Sequence, residues 1–435
     1  MEILLAWEKG HPPLDRVLEE ACAIALLPDQ RDRQLTMSLV YGTVRWQGWL
    51  DQILGRLASH PLAKMKPLTR IALRVGLYQL LFMDRVPASA AINETVLALK
   101  QAGQPKWITG FVNGVLRSAD RGRPRIGPPN DAAAQASHPA WLVERWQELF
   151  GPERTTAICR ANNEEPPLTV RVASRRLPVS AFLAQLHEAG IPAEPGQFAP
   201  EAVRITDLRG PVSLLPGFGQ GLFQVQDEVA QLVVLLLAPF ADGCRCLDTC
   251  AGLGGKTVQL AGLLPPSAHL TAVEPNPRRL ALLAENLQRL DRTAEIFQGE
   301  LQAFVQTLPE LFDAVLVDAP CSGLGVIRRQ PDIRWARTRE DLERYQARQL
   351  ALLSCAAALV VPGGVLVYAT CSIDPQENEA VITAFLDQHP DYVLTPAQDQ
   401  LPEAARCLCD RSGFLRTTPE QGLDGFFAAR LIKMK

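Results

Sequence analysis

Cys246-Leu247-Asp248-Thr249-Cys250-Ala251-Gly252-Leu253-Gly254-Gly255-Lys256-Thr257 decides the architecture of this chain. A strand ending in an acid, a glycine-rich turn and then a helix through Leu263 make the opening of a β-α unit. Glycines in such a turn allow positive φ and let a ligand press against backbone amides. The alternation repeats downstream: His269 to Val273 reads as a strand, Pro277 to Leu290 as a helix, and the apolar runs 312–317 and 363–368 as two buried strands. From Phe223 onward this order predicts an α/β fold with a parallel, doubly wound sheet. Ligands in such sheets gather beyond the carboxyl ends of the strands.

Two cysteine motifs fall at those ends. Asp318-Ala319-Pro320-Cys321-Ser322-Gly323 follows the first buried run and Ala369-Thr370-Cys371-Ser372 the second, so two thiols are expected to meet in one crevice. A thiol pair beside an acid suits chemistry on a pyrimidine. Carbon 5 of cytosine is a weak nucleophile, and a thiolate adding to carbon 6 makes it enamine-like and able to accept a methyl group. Release then requires loss of the carbon 5 proton and expulsion of the thiol, which a second group assists. Asp318 is placed to act as an acid near ring nitrogen 3, a role that asks for a carboxyl whose pKa burial has raised. Spacing alone assigns neither thiol to either role.

The glycine turn sorts the cofactors. A phosphate-binding P-loop needs glycine at 250, where the chain has cysteine, and a dinucleotide fingerprint needs glycine at 257, where it has threonine. S-adenosylmethionine remains, with Cys250, Ala251, Gly252, Leu253, Gly254, Gly255 and Lys256 as the loop around it. Glu274, ending the second strand, is positioned to accept ribose hydroxyls, although Pro277 leaves open that it caps the following helix. Glu300, ending the third, is the acid expected near adenine. Arg328, Arg329 and Arg334, with Trp335, read as a loop gripping a flipped or single-stranded nucleotide through phosphate contacts and stacking.

Working outward, residues 1–125 carry apolar positions at helical spacing over Val17 to Leu27, Leu35 to Leu57, Leu68 to Phe82, Ser89 to Ala98 and Trp107 to Leu116, which predicts an all-α bundle. Residues 126–137 read as a linker, 138–215 as a small α+β unit, and 216–435 as the Rossmann-like domain. Phe414 to Thr417 and Phe426 to Ile432 read as an antiparallel pair at one sheet edge. Net charge is −3, yet residues 51–125 hold twelve Lys/Arg against four acids, the pattern of a local phosphate-contacting surface. The apolar stretch Leu232 to Ala238 falls far short of the roughly 20 residues that span a bilayer. The acidic start Met1-Glu2 lacks the basic, apolar build of a signal peptide, so a cytoplasmic protein with no membrane contact is expected. Ten cysteines without framework spacing and six histidines, none beside the Cys244/Cys246 or Cys407/Cys409 pairs, argue against a disulfide scaffold and against a metal site.

These motifs resemble the RNA cytosine-5 methyltransferases of the Nol1/Nop2/Sun type. The resemblance rests on Cys250 to Lys256, on Asp318 to Gly323 with Gly325-Val326-Ile327-Arg328-Arg329, and on Thr370-Cys371-Ser372 followed by Pro375-Gln376-Glu377-Asn378-Glu379. Tyr41-Gly42-Thr43-Val44-Arg45 and Ala91-Ile92-Asn93-Glu94-Thr95-Val96 resemble a NusB-type RNA-binding domain, and the fusion is similar to bacterial members that act on 16S ribosomal RNA, free or in an early assembly intermediate. The resemblance implies Cys371 as nucleophile, Cys321 as the residue aiding release, Asp318 as the acid at the base, Lys256 as part of the active-site loop, and Glu274, Glu300 and Asp318 as cofactor contacts. The chain departs from the family where Gly252-Leu253 replaces Ala-Pro, which predicts a looser loop and weaker cofactor binding, and where Glu274 and Glu300 stand for aspartates. The same chemistry on transfer RNA, or a non-catalytic RNA-binding or antitermination protein, are the competing readings.

Overall fold

The computed structural model describes residues 1–24, 29–122, 132–208, 210–307 and 309–435. The chain divides into two compact units, Met1–Glu165 with Ile327–Arg339, and Pro166–Val326 with Glu340–Lys435.

The first unit is helical. Gln30–Arg45, Gln47–Leu57, Pro67–Phe82, Ala88–Gln101 and Lys106–Gly122 enclose Leu50, Leu54, Leu73, Leu77, Ile92, Leu99, Val112 and Leu116, all buried. Local signals start these helices: the Asp29 carboxylate accepts from the Arg31 amide at 2.8 Å, and Pro67 occupies a first-turn position where its missing N–H is not needed. The single helix expected over 35–57 is broken at Trp46, whose backbone (φ −99°, ψ 11°) leaves the helical well. At the start of the second helix a Cβ on Gly48 would come within 3.2 Å of the Ser137 backbone and 3.1 Å of Trp335. Trp46, Trp49 and Phe82 pack together beside the break. The helix expected to reach Leu27 is described as Leu14–Ile24, and the rest of it lies outside the described residues, as do Arg123, Arg125 and most of the expected linker.

The two helices expected after His138 are present as Ala140–Phe150 and Pro152–Asn162, and they pack within the helical unit. The α+β unit proper is a four-stranded antiparallel sheet of β1 (Leu168–Val172), β2 (Ala193–Pro195), β3 (Ala202–Ile205) and β4 (Phe223–Val225), ordered β2-β3-β1-β4. Helix Val179–Glu188 covers it, burying Phe182 and Leu186 against Val170, Val203 and Phe223. The antiparallel pairing of β4 with β1 completes the small sheet.

The large sheet comprises β5 (Arg245–Asp248), β6 (His269–Val273), β7 (Glu295–Phe297), β8 (Phe312–Asp318), β9 (Val360–Thr370), β10 (Tyr392–Thr395), β11 (Leu415–Thr417) and β12 (Phe426–Lys433). Its order is β10-β12-β9-β8-β5-β6-β7, with β11 on β12. From β7 to β9 the pairs are parallel, and β12 joins β9 antiparallel. Alternate residues feed opposite cores: Cys246, Leu316, Val367 and Ala369 face one apolar cluster, while Leu247, Val315, Leu366 and Tyr368 face another. Burial on both faces is why these runs read as continuous apolar segments. The carboxy-terminal pair is antiparallel as expected, but β12 lies inside the sheet, because β10 pairs along its far side. Chain order reverses between β5 and β8, which opens a crevice above their carboxyl ends.

Candidate active site

The turn after β5 is fixed from several sides. Thr249 Oγ1 donates to the Leu316 carbonyl at 2.9 Å, tying β5 to β8, and the Ala251 amide donates to the Val273 carbonyl at 3.0 Å, tying the turn to β6. Asp248 is buried and accepts from Thr257 Oγ1 at 2.7 Å and from the Cys250 amide at 3.3 Å. Burial, only partly countered by the Thr257 hydrogen bond, raises its carboxyl to about 6. Gly252 (φ +58°) and Gly254 (φ +88°) both use the left-handed region, and a Cβ on Gly254 would lie 2.5 Å from Leu283.

Glu274 at the end of β6 is buried. One carboxylate oxygen accepts from the Gly252 amide at 2.9 Å and the other from the Asn276 amide at 2.7 Å. It does not cap the next helix; Asn276 does, accepting from the Arg278 and Arg279 amides. The Leu253 carbonyl accepts from Asn286 Nδ2 at 3.0 Å, so the variant Gly252-Leu253 pair is held at both residues. No atom approaches within 4 Å of where a Cβ on Gly255 would stand, and the nearest to one on Gly252 is the Cys250 carbonyl oxygen at 4.0 Å. This open backbone, with a carboxylate beside it, fits a nucleoside carrying a charged amino-acid tail. Glu300 lies exposed at the start of helix Leu301–Gln306 and makes no side-chain capping bond.

Across the crevice, Lys256 Nζ pairs with Asp318 Oδ2 at 2.7 Å and sits 5.3 Å from the centre of the Phe426 ring. Burial disfavours the ammonium, but the charge and hydrogen bond of Asp318, with Cys371 and Asp248 behind it, outweigh that and raise its pKa. Asp318 differs from the buried lone carboxyl expected: its side chain is 29 % exposed and ion-paired to Lys256.

The two thiols do meet. Cys321 Sγ and Cys371 Sγ are 3.0 Å apart at the ends of the neighbouring strands β8 and β9, both free and partly buried. The hydrogen bond with Cys371, then burial, then the charges of Cys371 and Glu377 push the Cys321 thiol well up. Beneath the sulfurs lies a polar cluster that sequence reasoning did not assign. Glu377, fully buried, accepts from the Ser322 amide at 2.8 Å, Gln349 Nε2 at 3.0 Å, Ser372 Oγ at 2.5 Å and Ser322 Oγ. Glu377 stood in a recognisable stretch, but only the fold shows what it touches, and Gln349, within helix Arg339–Ala357, carried no sequence signal.

The expected RNA loop is different. Arg334 is fully buried in the helical unit, where its guanidinium donates to the Ser137 and Asn162 carbonyls, each at 2.9 Å, and to Asn163 Oδ1 at 2.6 Å. Burial, then the nearby Arg45 charge, lowers its pKa to about 9. Trp335 Nε1 donates to the Val44 carbonyl at 2.8 Å, the Asp332 carboxylate accepts from the Leu14 amide at 3.1 Å, and the Arg328 carbonyl accepts from Arg45. Arg334 has no surface left for RNA and Arg328 is 5 % exposed, so neither is the phosphate contact expected; Arg329 is half-buried. Of the basic amino-terminal residues, Arg70 and Arg74 are held by Glu8 and Asp51, while Lys106, Arg117 and Arg121 are exposed positions of helix Lys106–Gly122, as is Trp107, 70 % exposed. Among the described residues, no group of three or more His, Cys, Asp or Glu could hold a metal ion, and no helix is long and apolar enough to cross a membrane.

A sheet in this order, with a glycine turn after its first strand and an acid ending its second, defines the class of S-adenosylmethionine-dependent methyltransferases. Residues 234–432 match the family described as 16S rRNA methyltransferase RsmB/F, 138–212 its ferredoxin-like domain, and 1–121 the NusB family. Ribosomal RNA small subunit methyltransferase B of Pseudomonas putida is 39 % identical over 93 % of this chain and 92 % of that protein. The probable counterpart of Bacillus subtilis is 36 % identical over 100 % and 97 %. The crystal structure of PH0851 superposes with a TM-score of 0.82 at 25 % identity, covering 99 % of this chain and 96 % of that one. The chain belongs to the ribosomal RNA small subunit methyltransferase B family. It is an RNA methyltransferase that acts on ribosomal RNA with S-adenosylmethionine as cofactor.

Proposed function

We propose that the chain methylates carbon 5 of a cytosine in 16S ribosomal RNA through a covalent bond between Cys371 and carbon 6, and that Cys321 assists product release. The observation that carries this reading is the 3.0 Å contact between two sulfurs beside the Lys256–Asp318 pair. The thiolate is the attacking form of cysteine. The hydrogen bond with Cys371 and burial hold Cys321 as a thiol, which leaves Cys371 as the nucleophile in this reading. Its addition to carbon 6 pushes electron density onto the ring toward nitrogen 3. The ammonium of Lys256, oriented by Asp318, supplies the counter-charge there. S-adenosylmethionine, when bound, supplies an electrophilic sulfonium methyl; Cys250 to Lys256 with Glu274, Glu300 and Asp318 are the residues we assign to hold it. Release passes the carbon 5 proton to water, the freed electron pair re-forms the carbon 5–carbon 6 double bond, and the carbon 6–sulfur bond breaks with Cys371 leaving as thiolate, with Cys321 in contact with the departing sulfur.

The test uses labelled cofactor with free, undermodified 16S RNA, an early assembly intermediate and mature subunits side by side. Cytosine should be labelled at carbon 5 in one of the first two, and absence of transfer to any of the three would sink the proposal. Cys321→Ala should trap a protein–RNA adduct that survives denaturation, and Cys371→Ala should form none.

A further inference from the structure

The two cysteine loops are secured by different means. The Cys371 loop continues directly from β9, the sheet's longest strand, and locks itself. Thr370 Oγ1 donates to Asn378 Oδ1 at 2.6 Å, Asn378 Nδ2 donates to the Ser372 carbonyl at 2.9 Å, and the Ser372 amide reaches Thr370 Oγ1 at 3.4 Å. The Cys321 loop has a turn of its own, with the Leu324 amide on Ser322 Oγ at 3.4 Å and the Val326 amide on the Gly323 carbonyl at 3.0 Å, and backbone bonds from Ala319 and Gly325 to the neighbouring strand and loop, but the residues that flank the cysteine lean on side chains from elsewhere. Immediately after the cysteine, both the amide and the hydroxyl of Ser322 donate to Glu377; immediately before it, the Pro320 carbonyl accepts from Gln349 Nε2 at 3.1 Å, and that same amide group also donates to Glu377. Glu377 is itself fixed, since Tyr368 Oη donates to its carbonyl at 2.6 Å and its amide donates to the Asp374 carbonyl at 3.1 Å. One buried carboxylate thus spans the loops, with two bonds to Ser322 and one to Ser372.

We propose that Glu377 is a positioning residue for product release, holding the Cys321 loop so that its sulfur stays in contact with that of Cys371. This rests on the roles proposed above for the two thiols. Removing Glu377 takes away the bonds on Ser322 and the partner of Gln349, on either side of Cys321, and leaves the loop its own turn and its backbone bonds at Ala319 and Gly325, while the Cys371 loop keeps its Thr370 and Asn378 bonds. Attack on carbon 6 should survive and release should fail, the behaviour of a chain with a displaced Cys321. An ångström of displacement in a catalytic group is worth about a hundredfold in rate. A glutamine at this site can still accept from the Ser322 amide and Gln349 and donate to the two serine oxygens, because hydroxyls rotate between donor and acceptor roles.

The experiment follows turnover and covalent adduct together, with labelled cofactor and 16S RNA, in Glu377→Ala, Glu377→Gln, Ser322→Ala and Cys321→Ala, alongside thermal melts. Glu377→Ala should lose about a hundredfold in turnover while accumulating adduct, and Glu377→Gln should recover to within about tenfold of the unaltered chain. A change that merely weakens the fold lowers adduct and turnover in parallel and is not rescued by glutamine. If Glu377→Ala does not fold, Ser322→Ala, which removes one of the loop's two bonds to Glu377, should show a smaller accumulation. Adduct in Cys321→Ala but none in Glu377→Ala or Ser322→Ala overturns the role of Glu377 alone. No adduct in Cys321→Ala overturns the roles given to the thiols, and this proposal with them.

Discussion

Residues 318–335 are continuous in sequence and divided in structure. The first half, Asp318 to Val326, lies in the methyltransferase unit and contributes an ion-paired carboxylate, a thiol and a serine bound to Glu377. The second half, from Ile327, belongs to the helical unit, where Arg334 and Trp335 are consumed by backbone carbonyls. Polar and aromatic residues in a row thus do two unrelated jobs. The difference is one of exposure: groups that act on a substrate keep a free face, and groups that anchor a fold, such as Arg334, are closed off from solvent.

That contrast can be broken most forcefully at Cys371. Cys371→Ala should lower single-turnover methyl transfer at least about 10³-fold, through loss of covalent catalysis, while the melting temperature moves by only about 1–2 °C. Arg334→Met should do the reverse. Leaving three buried acceptors without their charged donor should remove about 3 kcal/mol of stability in urea titration of the helical unit. If Arg334→Met instead weakens RNA binding without loss of stability, the division of the loop is wrong.

Asp248 gives a pH handle on the catalytic half. Its folded carboxyl, near 6 through burial, lies above its ordinary value of 3.8, so the stability it contributes is full below about pH 4 and is lost as pH rises through 6. The unaltered chain should lose about 2 kcal/mol over that window from this group, and Asp248→Asn should flatten the slope. The smallest effect is expected at Glu300, exposed and without a capping bond. Glu300→Gln should raise KM for S-adenosylmethionine about threefold, the size of one solvent-exposed hydrogen bond, with kcat and melting temperature held.

The order of strands and helices around β5 to β9 was legible because a parallel sheet buried on both faces writes itself as apolar runs, and glycine marks its turns. The meeting of Cys321 and Cys371 followed from strand ends alone. What did not follow was anything fixed by long-range pairing: β10 outside β12, β4 on β1, and the break at Trp46, where residues near Ser137 crowd Gly48. Arg334 was misread for a related reason. A guanidinium has the same appearance in sequence whether its partners are phosphates or carbonyls some 170 to 200 residues away. Glu377 was visible as a residue and silent as a role, since its four partners come from three separated segments.

Gly325 carries one more consequence. Its amide donates to the Cys371 carbonyl at 2.9 Å and its carbonyl accepts from the Gly425 amide at 2.8 Å, and a Cβ at 325 would fall 2.0 Å from the Gly425 oxygen. The floor under the reacting sulfurs is therefore a two-rung backbone ladder across three segments, whose second rung is made at residue 425, beside the strand that pairs with β9. A side chain at 325 would push the Gly425 segment away from the backbone that carries Cys371, and the spacing of the two sulfurs depends on a residue that touches neither of them.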